Sequence, residues 1–254
     1  MNYNGILSLY IMLSLLFFIY TIVICTVMLI VSAVVFVFTV PFDKSRRVVH
    51  ELSRALVYMF VLVPPFWRRK VTGLENVDPS KPYVIVINHQ SMVDIMALYF
   101  LPLNFRWVSK REVFRLPFFG QFLVLHGDIA IERGNGAEAM RKVLERGTMW
   151  LSRGASVSMF PEGTRSKDGE IHRFKAGAFS LAREAGVAIL PVVMDGTRSM
   201  FRSTMLFNWH NTFKVNVLPE VSAEEVASLE QHELMERVRT QMVDALAEMR
   251  RNDR

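Results

Sequence analysis

A histidine and an aspartate lie five residues apart in Asn88-His89-Gln90-Ser91-Met92-Val93-Asp94, directly after the apolar run Tyr83 to Ile87. Histidine is the side chain whose ordinary pKa lies nearest neutral pH, so it can accept a proton there and return it. A neighbouring carboxylate fixes its tautomer and stabilises its charged form. His89 and Asp94 therefore have the make-up of a general base and its orienting acid. The same residue types also cap helices, and the segment alone fits either reading.

A second group is Phe160-Pro161-Glu162-Gly163-Thr164-Arg165-Ser166, where Pro and Gly shape a tight turn that presents a carboxylate, a hydroxyl and a guanidinium together. Arginine binds phosphate through two parallel donors, which makes Arg165 the natural phosphate clamp. Arg173 and Lys175 follow within ten residues. An anion site and a solvated charged loop are both compatible with this pattern. The third group, Gly127-Asp128-Ile129-Ala130-Ile131-Glu132-Arg133, ends an alternating stretch with an acid and a base.

The elements that must position these groups alternate. Strands are expected at Tyr83 to Ile87, Phe105 to Val108, Asp128 to Ile131, Ser156 to Phe160, Val187 to Met194 and Phe213 to Leu218, with a short one near Val71 to Gly73. Helices are expected at Met92 to Leu101, Ala137 to Arg153, Ala176 to Glu184 and, as one charged amphipathic tail, Ala223 to Arg250. This order predicts an α/β fold with a mixed, largely parallel sheet flanked by helices. His89 then falls at a strand end, a common place for chemistry in such sheets.

The apolar residues of the 254-residue chain are unevenly spread: Met1 to Phe42 contain no Asp, Glu, Lys or Arg. Spanning a bilayer as a helix takes ~20 apolar residues, and the apolar part of a cleaved signal peptide is only about 7–15 long. The segment is expected to stay as a membrane-embedded anchor that tilts, breaks or lies partly in the interface. Basic clusters at Lys44 to Arg47 and Arg68 to Lys70 flank a second amphipathic stretch suited to the headgroup boundary. Residues 1–69 are thus read as anchor plus interfacial helix, and 70–254 as one domain. The positive-inside rule puts that domain on the cytoplasmic side, at the inner membrane in a bacterial cell.

A formal charge of +6 is carried by dispersed basic residues with no nucleic-acid recognition motif, so anionic lipid and phosphorylated substrates are the expected partners. The single cysteine, Cys25, lies in the apolar segment and allows no intrachain disulfide. His50, His126, His172, His210 and His232 lack metal-ligand spacing and read as surface or satisfied core residues. Gly134-Asn135-Gly136-Ala137-Glu138-Ala139 matches a loose dinucleotide fingerprint, but the preceding Glu132-Arg133 belongs to the third group above.

Taken in order, the three groups and the apolar run Leu190-Pro191-Val192-Val193 resemble the glycerolipid acyltransferase superfamily, most closely its 1-acylglycerol-3-phosphate O-acyltransferases. Phe160 to Ser166 matches the family motif at every position, whereas Met194 stands where the fourth motif carries a second Pro. The resemblance covers roughly residues 70 to 220 and implies acyl transfer from acyl-CoA or acyl-carrier protein to the 2-hydroxyl of a lysophosphatidate, giving phosphatidic acid. It implies His89 and Asp94 as the catalytic pair. It implies Glu162, Gly163, Thr164 and Arg165 as the acceptor site, with Lys110 and Arg133 as supporting cations. Glu162 is expected to orient Arg165 or a substrate hydroxyl. No cofactor or metal is expected, and no covalent acyl-enzyme, since there is no Gly-x-Ser-x-Gly elbow. The apolar stretch Phe114 to Val124 is either core or an acyl-chain groove. The alternatives within reach are the same chemistry on glycerol-3-phosphate or another lysolipid, and an inactive lipid-binding protein.

Overall fold

The structure, a computed structural model, describes residues 3–62, 67–132, 134–200 and 211–252. The N-terminal apolar segment forms one unbroken helix, α1 (Tyr3–Thr39), and the stretch Ile11–Thr39 is long and apolar enough to cross a membrane. A second helix, α2 (Arg47–Leu62), comes after a short turn. Contacts spread along α1 join it to later parts of the chain. Phe17 meets the Trp67 ring edge-on at 6.0 Å, Met28 packs with Leu56 and Phe122, and Phe36 lies 4.9 Å under the Arg46 guanidinium.

Seven strands form one sheet: β1 (Trp67–Thr72), β2 (Val84–Ile87), β3 (Phe105–Lys110), β4 (Ile129–Ile131), β5 (Ser156–Met159), β6 (Ile189–Asp195) and β7 (Asn211–Val217). Their order is β1-β7-β6-β2-β5-β3-β4, and β6 with β7 is the antiparallel pair in an otherwise parallel sheet. The expected mixed, largely parallel sheet is the one observed. All four residues of β2 are fully buried, as a central strand covered on both faces must be.

Strand alternation divides the core in two. Val84, Val86, Val157, Ile189 and Val193 face helices α5 (Gly136–Ser152), α6 (Gly177–Ala185) and α8 (Gln231–Arg251). From α8 the residues Leu234, Val238, Met242 and Leu246, spaced one turn apart, enter this layer. Ile85, Ile87, Phe105, Leu190 and Val192 face the other way, toward α3 (Val93–Ala97), the 3₁₀ turn that continues it to Phe100, and Val57 and Val61 of α2. The helix read as interfacial therefore has one face in the domain core.

Two local expectations differ from the structure. The C-terminal tail is two helices, not one: α7 (Ala223–Ser228) starts with a capping box between Ser222 and Glu225, and Leu229 and Glu230 are extended before α8. The stretch Phe114 to Val124 is core only in part. Its helix α4 (Phe119–His126) packs on α1 and α2, with Phe122 and Leu123 buried while Leu116 and Val124 face outward.

Between α2, α4 and the sheet lies a buried polar chain. His50 Nδ1 stands 2.8 Å from His126 Nε2, His126 Nδ1 lies 2.8 Å from Asp128 Oδ1, and Asp128 also accepts the Trp107 N–H at 2.6 Å. Arg106, itself buried, points Nη1 at His126 Nε2 from 3.2 Å. An arginine only donates, so His126 Nε2 accepts and its Nδ1 carries the proton toward Asp128. Burial holds both histidines well below their ordinary pKa, helped at His50 by His126 and then Arg106 and Arg54, and at His126 by Arg106 and Arg46. Burial pushes the Asp128 carboxyl up to about 7. These two histidines are satisfied core residues, as expected.

Candidate active site

Strand β2 delivers Asn88 and His89 to the carboxyl edge of the sheet, beside the ends of β5 and β6. Asn88 is locked to β6 in both directions, donating from Nδ2 to the Met194 carbonyl at 2.9 Å and accepting the Met194 N–H at 2.7 Å. The residue standing where the family motif has proline thus uses the N–H that proline lacks. His89 is held on both sides by the Phe160 to Ser166 turn: its N–H donates to Glu162 Oε1 at 3.0 Å, and its carbonyl accepts the Ser166 N–H at 2.7 Å. Its ring stacks on Phe160 at 3.8 Å and 14°, and Phe160 stacks in turn on Trp107 at 5.0 Å.

Asp94, at the start of α3, is fully buried. Its Oδ2 accepts three donors: His89 Nδ1 at 2.8 Å, the Gln90 N–H at 2.6 Å and the Ser91 N–H at 2.7 Å. Its Oδ1 has no hydrogen-bond partner among the described residues. Ionised Asp94 can only accept, so His89 carries its proton on Nδ1 and Nε2 is left with its lone pair, the tautomer a base needs. Ser91 Oγ accepts the Val93 N–H two residues on, at 3.3 Å, a local turn contact rather than a nucleophile's geometry.

His89 borders a cleft of about 550 Å³. Lys110, Arg165 and Lys175 stand exposed around it, with Gly163 and Thr164 between them. Its apolar wall comes from Val108, Ile131, Met140, Val143 and Met159. Gly163 has φ +73°, and a Cβ there would lie 2.8 Å from Lys175 Nζ. The turn needs glycine for its backbone, and Lys175 fills the space a side chain would take.

The expected site residues thus divide. His89, Lys110, Gly163, Thr164 and Arg165 line the cleft, and Asp94 stands directly behind His89. Arg133 lies outside the described residues, and the neighbouring Glu132 pairs with exposed Arg111. Glu162 turns inward instead of toward Arg165. It is 5% exposed, and its carboxylate takes the backbone N–H groups of His89 and His172. Burial pushes its carboxyl above the usual carboxylate range, against the lowering effect of those two donors. Its role is to hold the chain at the base.

The apolar wall was not foreseen in the sequence. Met140 and Val143 are three apart on α5, a helix that begins just after the third motif, and that spacing was the available signal. A second groove of about 760 Å³ at the α1–α2 turn, lined by Phe38, Phe42, Asp43, Arg47 and Glu51, has no histidine in its lining.

The description "Acyltransferase" belongs to a family model that matches residues 68–195. The 1-acyl-sn-glycerol-3-phosphate acyltransferase of Pseudomonas aeruginosa is 33% identical over 208 residues, 81% of this chain and 79% of that protein. A chloroplastic 1-acyl-sn-glycerol-3-phosphate acyltransferase of Arabidopsis thaliana is 38% identical over 161 residues, 63% of this chain and 45% of its own length. Two further algal and plant relatives are matched over 48% and 46% of their lengths, so the chain spans about half the length of these curated relatives. The crystal structure of the 1-acyl-sn-glycerophosphate (LPA) acyltransferase PlsC from Thermotoga maritima has the same fold, with a TM-score of 0.70 at 22% identity over 94% of this chain and 97% of that one. The chain belongs to the acyltransferase family, within its 1-acylglycerol-3-phosphate O-acyltransferase group.

Proposed function

We propose that the protein transfers an acyl chain from a thioester donor, acyl-CoA or acyl-carrier protein, to the 2-hydroxyl of 1-acylglycerol-3-phosphate, giving phosphatidic acid for phospholipid synthesis. The observation that carries this reading is His89 Nε2. It is a proton acceptor whose opposite nitrogen is bound to a buried carboxylate, beside a cleft that is apolar in its wall and cationic around it.

An alcohol is too weak an acid to attack a thioester well at neutral pH, so a base must take its proton as the bond forms. His89 accepts that proton at Nε2 while the substrate oxygen attacks the thioester carbon. Asp94 stabilises the imidazolium, as the acid does in a serine triad, with the substrate hydroxyl in place of the enzyme serine. Collapse of the tetrahedral intermediate expels the thiolate, which takes the proton back from Nε2. Arg165 binds the acceptor phosphate, with Lys110 and Arg133 as supporting cations and Lys175 as a further one. The donor's acyl chain lies along the Met140, Val143 and Met159 wall. No cofactor takes part.

Helix α1 is the membrane anchor, with the acyltransferase domain on the cytoplasmic side, where the lysolipid enters laterally from the bilayer. The anchoring unit runs through α2 and the acyltransferase unit begins at β1, so Trp67 to Arg69, read from the sequence with the anchor, belong to the sheet, and α2 serves both units.

The test is an assay of purified protein in vesicles, with lysophosphatidate, glycerol-3-phosphate and other lysolipids as acceptors and both donor types. Phosphatidate formation from lysophosphatidate is expected, along with loss of turnover in His89→Ala and a raised acceptor KM in Arg165→Ala. Lysophosphatidate left unacylated with either donor sinks the proposal.

A further inference from the structure

The last turn of α8 reaches the back of this site. Arg250 Nη2 donates to the Gly169 carbonyl at 2.8 Å and lies 3.5 Å from Asp195 Oδ1, while Nη1 donates to Glu170 Oε1 at 2.7 Å. Gln90 Nε2 donates to the same Gly169 carbonyl at 3.2 Å and lies 3.4 Å from the same Asp195 oxygen. A guanidinium from the end of the chain and an amide from the residue after His89 therefore share two acceptors.

Both acceptors lead to the base. Gln90 is buried, and its own N–H is one of the three donors on Asp94 Oδ2. Gly169 closes the loop that begins at Ser166: its N–H donates to Ser166 Oγ at 2.9 Å, and the Ser166 N–H holds the His89 carbonyl. Asp195 ends β6, one residue beyond the Met194 that grips Asn88. The Arg250–Glu170 ion pair is largely exposed and by itself contributes little stability. What sets Arg250 apart is that one guanidinium joins the loop after β5 to the end of β6, the two walls between which Gln90 is seated.

We propose that Arg250 is a positioning residue for the His89–Asp94 pair, the C-terminal helix fixing through Gly169 and Asp195 the seat of Gln90 and hence the direction of the amides that aim Asp94 at His89. Arg250 does not border the cleft and touches no substrate. Without the guanidinium the two acceptors lose the donor they share with Gln90, and Gln90 can follow either one. Its backbone N–H then turns, and the Asp94 carboxylate turns with it. The consequence for turnover rests on the acyl-transfer reading given above.

The experiment uses the full chain in vesicles and compares wild type with Arg250→Met, which keeps the stem, and Arg250→Lys, which keeps the charge. A displacement near 1 Å at a catalytic pair costs up to ~100-fold, so the partial loosening in Arg250→Met is expected to lower kcat on the order of tenfold. The acceptor KM should be unchanged, and the acidic limb of the pH–kcat profile should move to lower pH as the imidazolium loses its partner. Arg250→Lys should recover most of kcat. NMR of the downfield His89 Nδ1 proton reads the same alignment without turnover, and Arg250→Met should shift or broaden it. A wild type inactive on every acceptor refutes the acyl-transfer reading alone. A His89 Nδ1 signal identical in wild type and Arg250→Met, or a kcat loss that tracks melting temperature with the pH limb in place, overturns the positioning role.

Discussion

Asp94→Asn isolates the charge behind His89 from the geometry that holds it. All three donors converge on Oδ2, so the asparagine oxygen can take that place and keep every one of them, while the amide nitrogen occupies the position of the unpartnered Oδ1. The fold and the His89 tautomer should therefore survive, and only the negative charge facing the imidazolium is lost. Asp94 is fully buried, and the His89 side chain is only 12% exposed. With charge centres near 4 Å and an effective dielectric constant of about 20, that attraction amounts to roughly 4 kcal/mol. It is available only once His89 is protonated, that is, in the transition state and not before it. A loss of that size lowers kcat about a thousandfold. The assay follows thiol release from acyl-CoA at saturating lysophosphatidate, with a thermal melt alongside. The acceptor KM should hold, because Asp94 does not line the cleft. If the variant melts like wild type and keeps kcat within about tenfold, the imidazolium does not depend on this carboxylate and the role given to the Asp94 charge fails.

Gly163→Ala should lower stability by about 1–2 kcal/mol through its left-handed backbone, and raise the acceptor KM because the new methyl displaces Lys175; a melt and KM both unchanged would contradict this. Met194→Pro should destabilise by roughly 1–3 kcal/mol, since the buried Asn88 oxygen loses its 2.7 Å donor, and a melting temperature at or above wild type would refute that. His50 is held well below its ordinary pKa, so below pH ~6.5 the unfolded chain gains a proton that the folded chain refuses, and this group's stability contribution falls by about 1 kcal/mol per pH unit as acid is added. Asp128, raised to about 7, works in the opposite direction, keeping a proton that the unfolded chain releases. His50→Gln removes the first effect and keeps the second, so its stability should drop less steeply with acid than that of wild type; parallel curves from urea melts would contradict the account.

Much of this was legible because periodicity and turn residues are local signals. The buried run at β2, the strands after it and the one-turn spacing along α8 all follow from which faces must be apolar. The motif segments could be recognised as bearing chemistry because a base, an acid and a phosphate-binding guanidinium are scarce types in a fixed order. What the residues did not reveal was direction. Glu162 and Arg165 are three apart in one turn, yet one faces inward to the chain at His89 and the other faces the cleft, a division set by how β2 and β5 lie side by side. The same limit explains Phe114 to Val124. Its hydrophobicity called for a partner without naming it, and the structure packs its helix on α1 and α2. The break at Leu229 and Glu230 escaped because the apolar pattern runs on across it, and only the Ser222 cap reveals the short first helix.

The contacts spread along α1 also fix something beyond stability. A cargo joined to a rod at one point can swivel, whereas one joined at Phe17, Met28 and Phe36, spread over roughly 28 Å of helix axis, cannot. The sheet therefore keeps one attitude to α1. Any tilt of that helix carries the mouth of the cleft through the same angle, so the distance between a label on α1 and one on β7 should stay fixed as the helix tilts.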